Sequence, residues 1–136
     1  MIINAENLIL GRLASYAAKK ALLGEKVEIV NCENVVITGS KQEIFQEYKN
    51  KIARGNPFKG PYFPRRADMI VRRTIRGMLP RKKARGREAY KNIKCYLAIP
   101  ENLKNQNFIS LDNANVNKLR SLKFVYIKDM SRMYGK

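Results

Sequence analysis

An α/β fold is predicted for this chain, and three observations predict it. Short apolar runs of strand length alternate with stretches of helical spacing. The first strand–helix–strand alternation fits within about 30 residues, the size of a parallel βαβ unit with a right-handed crossover. Finally, 45% of the 136 residues are hydrophobic, enough to give one domain of this length a core.

Each element follows in order. Ile2-Ile3 is a short apolar run and predicts the first strand. Leu10, Leu13, Ala14, Ala17 and Ala21 recur at helical spacing, and Gly24 supplies a stop, so a helix is expected over about 11–23. The string VEIV at 27–30 predicts a second strand, and Val35-Val36-Ile37 a third, ended by Thr38-Gly39. Ser40 and Glu43 have capping-box spacing ahead of a helix over 40–53, whose apolar face is Ile44, Phe45, Tyr48 and Ile52. The string GNPFKGPYFP at 55–64 is too dense in Gly and Pro for a helix or a central strand. It reads as a shaped loop rather than a domain linker. A helix over 67–78 is expected next, with Ala67, Ile70, Val71, Ile75 and Met78 on one stripe and Arg72, Arg73 and Arg76 clustered on another face. Gly77 and Pro80 end it. Residues 81–87 carry five basic side chains, with Gly86 allowing either a close backbone approach or an unusual dihedral. IKCYL at 93–97 is a fourth strand, placed in one sheet with the other three. Further on, Phe124–Ile127 suggest a short strand or an extended edge segment, and 129–134 one helical turn.

Only about four residues separate strands two and three, too few for a helical crossover, so the direction of strand three stays open. The chain is expected to form one domain over 1–136. Its α/β core is placed at 1–97, with a basic segment at 54–94, and a C-terminal extension over 98–136 packs on the core or on neighbours.

The charge is large and unevenly placed. There are 28 Lys and Arg against 11 Asp and Glu, a net charge of +17. Residues 1–40 are net neutral. Residues 41–94 hold 17 basic and 4 acidic side chains, net +13, and the remainder is net +4. Such a concentration repels itself and weakens the compact state, so solubility alone does not account for it. An anionic membrane would favour Lys-rich amphipathic helices with Trp or Phe opposite. This segment is Arg-rich, lacks Trp and is broken by Gly and Pro. Nucleic acid fits better, because guanidinium groups bond phosphate bidentately and stack on bases.

Several functions are excluded. With no His, there is no His general base, His metal ligand or Cys-His pair. Cys32 and Cys95 form no C-x-x-C motif, and two ligands do not close a four-coordinate zinc site. Each sits in an apolar stretch, as a buried thiol in a reducing compartment would. No metal or cofactor is expected. No apolar run approaches the ~20 residues of a membrane span, and the N-terminus reads as no secretion signal. Gly11 opens a helix after the first strand, as a phosphate-binding glycine does, but it stands without a G-x-G-x-x-G or P-loop pattern. Tight helix–sheet packing is the other reading of that glycine. Glu43 and Glu47 are four apart, one a cap and the other a solvated residue. Phe58, Tyr62, Phe63 and Tyr90 lie among the charges and are candidates either for stacking on unpaired bases or for core packing. Tyr62 is the best stacking candidate, because Gly60-Pro61 holds it in a stiff loop.

The local strings resemble one family. Leu10-Gly11-Arg12-Leu13-Ala14-Ser15, Val30-Asn31-Cys32-Glu33, Ile37-Thr38-Gly39, Gly60-Pro61-Tyr62, Gly86-Arg87-Glu88-Ala89, Ile93-Lys94-Cys95-Tyr96 and, most specifically, Arg76-Gly77-Met78-Leu79-Pro80 are similar to the universal large-subunit ribosomal protein 13 family, in its compact archaeal form. The resemblance implies a three-layer α/β/α domain around a four-stranded, mostly parallel sheet. It also implies a non-enzymatic constituent of the large ribosomal subunit in the cytoplasm, with ribosomal RNA and neighbouring ribosomal proteins as partners. Two departures stand out: Phe63 and Pro64 follow Gly-Pro-Tyr where many members carry His, and Cys32, Cys95 and Leu97 replace smaller or aliphatic residues. The residues expected to meet RNA are Lys59, Tyr62, Arg65, Arg66, Arg72, Arg73, Arg76, Arg81, Lys82, Lys83, Arg85 and Arg87. The rival reading is an RNA- or nucleotide-modifying α/β enzyme with a cofactor at the Gly11 turn. The missing glycine motif, His and paired acids count against it.

Overall fold

In the computed structural model, which describes residues 1–135, the α/β class holds. Strands β1 (Ile2–Asn4), β2 (Val27–Val30) and β4 (Ile93–Cys95) form one parallel sheet in the order β1-β2-β4. The registers pair Ile3 with Ile29 and Ile29 with Cys95. Helix α1 (Leu10–Leu22) makes the crossover between β1 and β2. Alternation along the strands sorts side chains to two faces. Ile3, Val27, Ile29 and Ile93 are buried with Leu13, Ala14, Ala17 and Ala21 of α1. Ile2 and Val30 point the other way, against Leu103, Tyr96, Ile99 and Phe108. The second face is thus covered by the irregular segment that follows β4.

The four-stranded sheet is corrected. Strand β3 (Val36–Thr38) leaves the parallel sheet and pairs antiparallel with β5 (Phe124–Tyr126), matching Val36 with Tyr126 and Thr38 with Phe124. The cause lies in residues 31–35. Asn31 is left-handed at φ 58°, and Cys32–Asn34 make one 3-10 turn, so the chain turns away from β2 before it is extended again. A link this short never crosses over to a parallel neighbour. Val36 donates its backbone N–H to the Leu8 carbonyl at 2.9 Å, which ties the small ladder to the chain entering α1.

Helices α2 (Lys41–Ala53), α3 (Ala67–Gly77), α4 (Ala84–Lys91) and α5 (Ile127–Tyr134) complete the fold. In α2, Ile44 and Tyr48 are buried and Phe45 and Ile52 pack beside them. The capping box is not formed. Ser40 has extended backbone at the N-cap, but its side chain makes no capping hydrogen bond, and only its carbonyl accepts from Ile44 N–H at 3.0 Å. Lys41, Gln42 and Glu43 are exposed, so water meets the first-turn N–H groups. Helix α3 buries Ala67, Ile70, Val71 and Ile75 against α1 and β4, but Met78 falls outside the stripe and is 43% exposed. The helix ends at Gly77, and Leu79 takes the core position instead.

Candidate RNA interface

Helix α4 was not legible as a helix, because its first residues look like a charge run. The structure shows why the run is ordered. Gly86 and Ala89 are buried, and a Cβ on Gly86 would overlap the Pro80 carbonyl. The helix therefore rests backbone to backbone on the turn after α3. Arg81, Lys82, Lys83, Arg85 and Arg87 all project from this turn and helix, and all five are exposed.

The arginines of α3 behave differently. Arg72, Arg73 and Arg76 are half-buried. The Arg72 guanidinium lies 4.6 Å from the centre of the Tyr90 ring of α4. Arg73 lies 4.4 Å from the Phe63 ring and donates from Nη1 to the Tyr62 carbonyl at 3.2 Å. The two neighbours thus splay to opposite sides of the helix, one toward α4 and one toward the Gly-Pro loop. Each is stacked on an aromatic ring, which removes rotamer freedom and holds its charge in place. Two of the four aromatic candidates, Phe63 and Tyr90, are therefore platforms for arginine. Phe63 also packs edge-on to Tyr48 at 5.2 Å. Burial pushes the Tyr48 hydroxyl up from its ordinary pKa, so it stays neutral.

At the loop, Lys59, Tyr62, Arg65 and Arg66 are exposed. Arg66 is bonded bidentately to Asp68, with Nε–Oδ1 at 3.2 Å and Nη2–Oδ2 at 3.0 Å. Its charge is already partly answered. Four of the twelve residues thus lie on the loop before α3, three on α3 itself, and five on the Pro80 turn and α4 after it.

The Gly11 turn offers neither a cradle nor a tight contact. A Cβ there meets nothing within 4 Å, and the residue is exposed. Arg12 beside it donates to the Asn113 carbonyl at 2.9 Å. Cys32 is buried and Cys95 half-buried, both as free thiols. The neighbouring Cys95 thiol and burial raise the Cys32 pKa above the ordinary thiol value, so it stays protonated, and its Sγ–H donates to the Ile29 carbonyl at 3.6 Å. Among the described residues, no group of three Cys, Asp or Glu side chains is placed to hold a metal ion. No helix among them is long and apolar enough to cross a membrane.

Comparison with known proteins agrees with the string-level resemblance. The family described as ribosomal protein L13 matches residues 1–102. The large ribosomal subunit protein uL13 of Methanococcoides burtonii is 48% identical over 134 residues, covering 98% of this chain and 96% of that protein. The uL13 protein of Archaeoglobus fulgidus is 44% identical over 98% of this chain and 86% of its own length. That of Methanocaldococcus jannaschii is 47% identical, with 98% and 96% covered. Matches of this extent reach across both the α/β core and the C-terminal segment, and the chain belongs to the ribosomal protein L13 family.

Proposed function

We propose that the chain is a structural, non-catalytic constituent of the large ribosomal subunit, where it binds ribosomal RNA and packs against neighbouring ribosomal proteins in the cytoplasm. The observation that carries this reading is the Pro80 turn and α4, where five cations stand exposed on a backbone anchored through Gly86. Folded RNA brings phosphates together at a large electrostatic cost. A fixed array of guanidinium and ammonium groups lowers that cost and releases counterions. Arg72 and Arg73, held on Tyr90 and Phe63, extend the array along α3, and Lys59, Arg65 and Arg66 continue it to the loop. Contacts of this kind read the shape of RNA more than its base sequence.

The test is a salt titration of affinity for a large-subunit RNA fragment. If about eight phosphates are contacted, log K falls against log salt with a slope of roughly −6. Replacing Arg81, Lys82, Lys83, Arg85 and Arg87 together by Gln is expected to flatten the slope by roughly 3.5 to 4.5. The control is Lys19→Gln with Lys26→Gln, two exposed lysines in the net-neutral third, which should change it little. Equal flattening in both would mean that charge acts without address. A companion test is sedimentation: the chain should travel with large subunits, and a modifying enzyme mostly should not.

A further inference from the structure

The loop between α2 and α3 is built as carefully as a binding site, yet two of its aromatic rings face outward. Residues 54–66 contain four cations and no acid. Asn56 organises the tip. Its N–H donates to the Gly60 carbonyl at 3.1 Å, and its own carbonyl accepts from Gly60 at 2.8 Å and Lys59 at 3.2 Å. Its side-chain Oδ1 accepts from Phe58 N–H at 3.0 Å. The Tyr62 hydroxyl donates across the loop to the Pro57 carbonyl at 2.9 Å. A Cβ on Gly60 would stand 3.2 Å from the Tyr62 ring, so the ring is seated on the Gly60 backbone. Even so, Tyr62 remains 67% exposed and Phe58 90% exposed. An open cleft of about 450 Å³ runs between the end of α2 and this loop, lined by Ile52, Arg54, Pro61, Tyr62, Phe63 and Arg65 among others.

We propose that this loop binds unpaired RNA nucleotides by base stacking, one base entering the cleft against Tyr62 with its flanking phosphates on Arg54 and Arg65, and a second base stacking on Phe58. The proposal rests on the RNA-binding reading above and gives that surface a second mode. Duplex RNA hides its base faces, so an exposed ring finds a π-face only on single strands, bulges and loops. The all-cationic surroundings select a polyanionic partner over an apolar protein surface. The Tyr62 hydroxyl bond holds that ring in place before binding, and Asn56 fixes the backbone that carries Phe58, so less ordering entropy is lost when a base arrives. The cleft volume lies within the range of sites that enclose small ligands.

The test is fluorescence anisotropy on the full chain with two labelled probes: a 12-nucleotide oligoadenylate and a 12-base-pair RNA duplex of mixed sequence. Phe58→Ala and Tyr62→Ala are each expected to weaken oligoadenylate binding by about tenfold, the loss of one stacked base. Their salt slopes should match that of the unmodified chain, because no phosphate contact is removed. Duplex binding should change less than twofold. Tyr62→Phe, which keeps the ring and loses the bond to Pro57, should retain most of the affinity. Phe58→Ala, with its side chain in solvent, cannot fail through misfolding. An unchanged oligoadenylate affinity in either alanine variant overturns the proposal, and for Phe58 it would assign the ring to a protein neighbour. Equal losses on both probes overturn it as well. If the unmodified chain binds the duplex but not the oligoadenylate, stacking is refuted and the phosphate reading stands. If it binds neither, both fail together.

Discussion

Glycine at a helix position is ordinarily a defect, and replacing it by alanine stabilises a helix by about 0.5–1 kcal/mol. Gly86 reverses that sign. It lies inside α4, and an added Cβ would overlap both the carbonyl oxygen and carbon of Pro80. Those atoms are backbone, at the turn where α3 passes into α4, so they cannot swing aside like a side-chain tip. Relieving the overlap requires α4 to lift from Pro80, which loosens Ala89 from the core. Overpacking of this sort costs about 1–3 kcal/mol, and contact with backbone belongs at the upper end. After subtraction of the helix-propensity gain, Gly86→Ala should destabilise by about 2 kcal/mol. For a chain of this size that lowers Tm by roughly 6–10 °C. Gly77→Ala is the matched control: it too lies in a helix, but its added methyl meets nothing within 4 Å. That variant should leave Tm unchanged or raise it by a few degrees. The assay is thermal unfolding by circular dichroism on the three proteins in one buffer. A Gly86→Ala protein that melts with or above the unmodified chain would refute the seating of α4 on Pro80, and with it the argument that the α4 cations are held in place.

Asp68→Asn removes the carboxylate that holds Arg66, and should steepen the salt dependence of RNA binding by roughly 0.7–0.9 per released cation while costing up to about 1 kcal/mol in stability; titration and urea unfolding read the two effects separately. Tyr90→Leu keeps apolar volume but removes the ring under Arg72, and should weaken RNA affinity about two- to fivefold without altering the salt slope, since a looser charge is still a charge. Cys32 should resist maleimide labelling in the folded chain and react rapidly in denaturant; fast labelling under native conditions would contradict its burial.

The parts of the fold visible in the sequence are those set by local spacing. Ile2-Ile3, the Leu13–Ala21 stripe and VEIV specify β1-α1-β2, because alternation and helical periodicity act within a few residues. The destination of Val36–Thr38 was hidden, since its partner Phe124–Tyr126 lies at the far end of the chain and neither string names the other. Helix α4 was hidden for another reason. Its apolar contact is made by Gly86 and Ala89, whose small size gives almost no hydrophobic signal. The candidate site shows the same division. The clustering of Arg and Lys is written in the chain itself, and of the two readings Gly86 offered, the structure shows the close backbone approach. The pairing of Arg72 with Tyr90 and of Arg73 with Phe63 was not, because both depend on tertiary packing between elements. Ser40 shows that a favourable spacing offers a hydrogen bond without compelling it.

The departure of β3 from the sheet also sets the order in which the chain can close. Val27 must find Ile93, and Val36 must find Tyr126, 90 residues further on. Both closures span nearly all of the +13 segment, whose like charges resist being drawn together. Pairings between such distant residues form slowly, because loop entropy is lost before any contact compensates for it. During synthesis the β1-α1-β2 unit emerges with one sheet edge unoccupied, and the ladder beside it waits for the last dozen residues. A polyanion arriving early would quiet the repulsion across the gap and hasten both closures. Refolding of this protein should accordingly accelerate with added RNA or polyphosphate, so that the partner of the finished fold also acts as an aid to finishing it.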